Sequence, residues 1–182
     1  MRLWIMRRSS TGGLTITSGR CCLYRIELND AQLAASGKDA VASWLARRLI
    51  VPKVFFNAPW PSRRTQVDVL AVDRAGAGDI WAAEVTIGVA AARDAIAQLM
   101  QLPAHYKYVA IAKPGPYQPE LQTLYSPSGM GRVGILLVEE NPDNRIGVVE
   151  GIPAERFRVE PAAIKLIDRF TARYHADIEL RA

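Results

Sequence analysis

The chain has 182 residues, 49% hydrophobic and 23% charged, the balance of a globular protein with one substantial core. No apolar run reaches membrane-spanning length, and residues 1–8 have too short an apolar centre for a signal peptide, so a cytoplasmic protein without membrane contact is expected. The net charge of +5, carried by 18 Arg against 5 Lys, is compatible with a nucleic-acid partner and equally with the codon usage of a G+C-rich genome.

In chain order, residues 1–28 alternate loosely, with Leu3, Ile5, Leu14, Ile16, Tyr24 and Ile26 punctuated by Gly12-Gly13 and Ser18-Gly19. They read as short strands of an N-terminal appendage. The adjacent Cys21 and Cys22 do not suit disulfide geometry and have no further thiols for a zinc site, so they read as reduced thiols. Ser36-Gly37-Lys38-Asp39 has the pattern of a capping box, and Val41, Trp44, Leu45 and Leu49 follow at helical spacing. Residues 51–56 are β-branched and aromatic and predict a strand, broken by Asn57-Ala58-Pro59-Trp60-Pro61. Trp60 reads as a loop anchor packed on the core or as a stacking surface for a base. Arg63-Arg64 then lead into a hairpin; phosphate contact and simple solvation are equally open for them.

Beyond the hairpin, residues 89–102 form a helical pattern with Val89, Ala92, Ile96 and Leu99 as its apolar stripe, closed by Pro103. His105 reads as structural. Residues 106–112 and 132–139 are near-continuously apolar and predict strands buried on both faces. Residues 119–125 suggest a short helix, 145–150 a further strand, and Pro161 opens a last helix with Ile164, Ile167, Phe170 and Tyr174 on one side. Glu139-Glu140 read as solvated. Strands alternating with helices predict an α/β fold with a mixed central sheet flanked by helices, in one domain.

The hairpin itself carries the chemistry. Gln66-Val67-Asp68-Val69-Leu70-Ala71-Val72 and Ile80-Trp81-Ala82-Ala83-Glu84-Val85-Thr86 flank a Gly-rich turn. With Gly76 at its centre, Asp68 lies opposite Glu84 and Gln66 opposite Thr86, all four on one face. Two carboxylates directly opposite each other repel by up to about 1 kcal/mol. A divalent cation between them turns that repulsion into coordination. The competing reading is a solvent-facing pair of strands.

This order of elements, with Asp on the second core strand and Glu on the third, resembles the PD-(D/E)XK nuclease superfamily. Its restriction-endonuclease-like core has the order αβββαβ. The resemblance spans residues 37–113, with 1–28 as an appendage and 114–182 as a C-terminal elaboration. It is nearest to the Holliday-junction resolvase and Mrr-type group, whose Gly-x-x-acidic helix start is similar to Ser36-Gly37-Lys38-Asp39. The resemblance implies that Asp68, Glu84 and the Val85 carbonyl hold Mg²⁺ or Mn²⁺, and that Asp39 is an additional acidic residue. Gln98 or Gln101 would match a glutamine on the second helix, although no Gln-x-x-x-Tyr pattern fits. Thr86 occupies the position of the family lysine. A cation from elsewhere could stand in, with Arg93 preferred to Lys38.

The resemblance therefore implies a metal-dependent nuclease acting on DNA, possible as a homodimer. A degenerate relative that binds DNA or serves as an assembly subunit is the alternative, because Thr86 carries no charge. Bland roles stand beside these: Asp39 as a helix N-terminal residue, Thr86 as a good strand former, Gln98 and Gln101 as solvated side chains. A third class is an α/β partner-binding domain with no nucleic-acid role.

Overall fold

Asn29 starts the first helix, well before the Ser36 pattern predicts. Its side chain accepts the Gln32 amide at 2.9 Å while the Gln32 side chain accepts the Asn29 amide at 3.1 Å, a reciprocal cap. The helix-forming run Ala31–Ala35 then carries the backbone straight through Ser36 to Asp39, so the tetrapeptide read as a cap lies inside the helix.

The computed structural model describes residues 7–8, 14–15, 28–60, 66–75, 78–113, 132–140 and 145–179. Its elements are β1 (Arg7–Arg8), β2 (Leu14–Thr15), α1 (Asp30–Arg48), β3 (Pro52–Pro59), β4 (Gln66–Asp73), β5 (Ile80–Ile87), α2 (Ala92–Met100), β6 (Tyr106–Ala112), β7 (Gly134–Glu140), β8 (Ile146–Ile152), α3 (Pro161–Arg173) and β9 (Ile178–Glu179). The protein is α/β, and from α1 to β6 the order is α-β-β-β-α-β. Within the appendage only the β1–β2 antiparallel pair is described. Cys21, Cys22, Arg63, Arg64, the Gly76 turn centre and the helix expected over 119–125 lie outside the described residues.

A mixed seven-stranded sheet runs β8-β7-β6-β5-β4-β3-β9. β5, β6 and β7 are parallel at its centre, and antiparallel strands flank them. The β5–β6 connection through α2 is the crossover that parallel neighbours require. β6 is buried on both faces, as its apolar run predicts.

Two apolar layers enclose the sheet. Val41, Ala42 and Leu45 of α1 cover one face with Val69, Ala71, Ala83 and Ala110. Ala92, Ala95 and Leu99 of α2 and Ile167 and Phe170 of α3 cover the other with Leu70, Val72, Ala82, Val109 and Ile111. Gly37 lets α1 come down onto the sheet: a Cβ there would sit 3.0 Å from a Val85 methyl. Trp60 is 2% exposed and anchors the loop after β3 in the core, which leaves no stacking face there.

Alternation breaks once in each of two neighbouring strands. Phe55 and Ala58 of β3 join the α2-side core, as do Val67 and Leu70 of β4, so each strand changes phase between them. In β3 the change falls at Asn57, whose φ of 46° is left-handed, a conformation asparagine tolerates better than most residues. In β4 it falls at Asp68, and the β3–β4 ladder skips the Asn57–Asp68 pair.

Candidate functional site

The β4–β5 ladder pairs Val69 with Ala83, Leu70 with Ala82, Ala71 with Trp81 and Val72 with Ile80. This is the register that sets Asp68 against Glu84, and the backbone pairing stops one step short of them. In place of a further rung, the Asp68 side chain accepts the Val85 amide at 2.8 Å through Oδ2. The two strands part at this point, and the two carboxyl groups are neighbours in the opening.

Each carboxyl group is gripped from a different helical layer. Lys38 of α1 places Nζ 2.6 Å from Asp68 Oδ1, with the two side chains 25% and 20% exposed. The same ammonium donates to Asn57 Oδ1 at 2.8 Å, so the left-handed residue of β3 holds the lysine from the opposite side. Gln98 of α2 donates through Nε2 to Glu84 Oε1 at 3.2 Å and to the Gln66 carbonyl at 3.1 Å. Charge-assisted bonds of this kind are roughly twice as strong as neutral ones.

Glu84 is 9% exposed. Burial first, and then the adjacent Asp68, push its carboxyl up to about 8, while Lys38 opposes the shift. Without a cation the Glu84 carboxyl therefore favours its protonated form at neutral pH. Thr86 follows Glu84 by two residues on β5, and its buried Oγ1 has no hydrogen-bond partner.

Two adjacent carboxyls are hard oxygen donors of the kind Mg²⁺ and Mn²⁺ take, with waters completing the shell. The residues fit such a cation. No group of three or more His, Cys, Asp or Glu suited to a metal occurs among the described residues. A cation here would rest on two carboxylates, backbone and solvent.

The remaining expected residues separate from this centre. Asp39 is exposed and lines a cleft of about 530 Å³ between α1 and β8 with Ser43, Arg47 and Arg145, because its position on α1 turns it away from Lys38's side. Arg93 is exposed at the start of α2, and the cation on the acidic pair is Lys38. With α1 starting at Asn29, Lys38 lies inside the helix and not in its cap. Gln98 reaches the pair through Glu84. Val85 contributes its N–H to Asp68. His105 is structural: its buried Nδ1 accepts the Ile80 amide at 3.0 Å, and burial lowers its basicity. Sequence reasoning missed Asn57, whose only signal was an asparagine interrupting a β-branched and aromatic run.

No family model matches the chain, and no curated protein matches it. Among solved structures, it is similar to the SPO1766 protein of unknown function from Silicibacter pomeroyi, with a TM-score of 0.56 and 21% identity over 81% of this chain and 88% of that one. That likeness concerns the fold. Among the described residues, no helix is long and apolar enough to cross a membrane.

Proposed function

We propose that the protein is a divalent-cation-dependent nuclease of the PD-(D/E)XK type that hydrolyses DNA phosphodiester bonds, with Mg²⁺ or Mn²⁺ as cofactor. The observation that carries the reading is the meeting of Asp68 and Glu84 where β4 and β5 part, with the Lys38 ammonium on Asp68. A divalent cation held there would neutralise phosphate charge and activate a water.

The chain's own groups supply the rest. Asp68 is fixed by the Val85 amide and by Lys38, and Glu84 by Gln98, so neither carboxyl needs to be ordered when the ion arrives. Lys38 places its ammonium beside Asp68, where it would stabilise the negative charge that develops on a scissile phosphate. The absence of lysine at Thr86 argued for a degenerate relative; an ammonium supplied by α1 favours the active reading instead.

The test is cleavage of supercoiled plasmid with Mg²⁺ or Mn²⁺. Asp68→Ala and Glu84→Ala are each expected to abolish metal-dependent nicking. Undiminished nicking by both variants refutes the site. Tight DNA binding by the wild type without cleavage of duplex, branched or single-stranded substrates would transfer the protein to the DNA-binding alternative.

A further inference from the structure

Lys107, on β6, is a buried lysine that the proposed centre does not use. It is 4% exposed, and no carboxylate pairs with it among the described residues. Its ammonium has two neighbours: the Met100 carbonyl at a long 3.4 Å, and the face of Phe157, 4.1 Å from the ring centroid. Three N–H donors are thus served by one weak bond and one ring. Burial lowers the group to about 8, so at neutral pH it is still mostly charged. A buried charge without a counter-ion costs stability, and such a residue is normally paired or absent.

Lys107 lines a cleft of about 600 Å³ together with Leu102, Ala104, Phe157, Arg158 and Ala163. Apolar side chains supply much of the wall, and Arg158 adds a second, exposed cation. The first turn of α3 also borders the cleft. Its N-cap, Glu160, makes no side-chain hydrogen bond to that turn. The exposed Glu160 carboxylate borders the cleft as well and opposes an anion, but forms no ion pair with Lys107.

We propose that this cleft is a binding site for a small organic anion, a phosphate monoester or carboxylate on an apolar body, with Lys107 as its counter-ion. The charged group would take the unused ammonium donors while the body lies against Phe157 and Leu102. The site is independent of the nuclease reading and stands or falls without it.

The experiment measures thermal stability and calorimetric binding of the full chain with phenyl phosphate, benzoate or inorganic phosphate. At least one organic anion is expected to stabilise the wild type and to bind more tightly than inorganic phosphate, and the stronger of the two identifies the charged group. Lys107→Met should raise the melting temperature of the ligand-free protein, by removing an uncompensated charge, and weaken binding at least about tenfold. Lys107→Arg should retain part of the binding. The inference is overturned if neither organic anion binds, or if Lys107→Met binds as the wild type does. It is equally overturned if ligand-free Lys107→Met melts lower or fails to fold, since the lysine would then serve the Met100 carbonyl and the Phe157 ring alone.

Discussion

Thr86 stands where the resembled nucleases carry a lysine, while the ammonium against the acidic pair comes from Lys38 on another element. If that charge does the same work, Lys38→Met should lower plasmid cleavage by about a hundredfold, the effect of losing one electrostatic donor of about 3 kcal/mol. Adding Thr86→Lys to Lys38→Met should recover part of the rate, because Thr86 follows Glu84 by two residues on β5. Full activity of Lys38→Met, measured as initial nicking rates, would leave the lysine a purely structural partner of Asp68. The acidic pair was legible in the sequence because hairpin register is set by a turn and a period of two. Lys38 was not, since its value depends on which side of a helix it occupies, and that phase follows from where the helix begins.

Glu84 also ties stability to pH. The folded protein holds its proton up to about 8, whereas a free glutamate releases it near 4.5. Between those values the native state binds more protons than the unfolded chain, so this contribution is complete below 4.5 and is lost as the pH rises through 8. Glu84→Gln cannot ionise and lacks the slope. In EDTA, its melting temperature should gain on the wild type steadily from pH 5 to about pH 8. Parallel melting curves would mean that Glu84 is ionised throughout.

At the scale of elements, the seating of α1 over the site depends on a close approach at Gly37. Gly37 sits over Val85, and the next residue is Lys38. Gly37→Leu would drive a side chain into a β-branched methyl whose rotamer is stiff, costing about 1–3 kcal/mol by overpacking and lifting Lys38 from Asp68. Urea denaturation should show the loss of stability, and the nicking assay a loss of rate beyond the unfolded fraction. A variant as stable and as active as the wild type would show that α1 has room to shift.

Strand identity was readable wherever composition and period agreed, as in β4, β5 and β6. The start of α1 was misread because Ser-Gly-Lys-Asp satisfies a local capping pattern that the earlier Asn29–Gln32 pair satisfies better. The change of phase at Asn57 and Asp68 had no signal in alternation. It arises from two neighbouring strands bulging together, a tertiary event. The same change lets Asp68 meet a lysine from one layer while Glu84 meets a glutamine from the other.

Across the whole molecule, the α/β class and the sequence of elements through β6 followed from alternating periodicities, whereas the order of strands in the sheet came only with the structure. The clefts beside α1 and α3 were not readable, because they join residues distant in sequence. Asp39 illustrates the limit: next to Lys38 in the chain, it lies about 100° further round the helix and lines another cleft.

Among the described residues, the outer margin of the sheet at β3 is finished by the two residues of β9. Ile178 and Glu179 pair with Val54 and Lys53, the Asp177 amide donates to the Val54 carbonyl, and the Asp177 carboxylate accepts the Phe56 amide at 2.7 Å. This short hem occupies hydrogen-bonding groups that would otherwise invite a second molecule. Ending the chain after Tyr174 should therefore leave the interior intact but make the protein sticky, with light scattering rising with concentration while circular dichroism stays unchanged. A truncated chain that remained monomeric would show that the β3 margin is protected by other means.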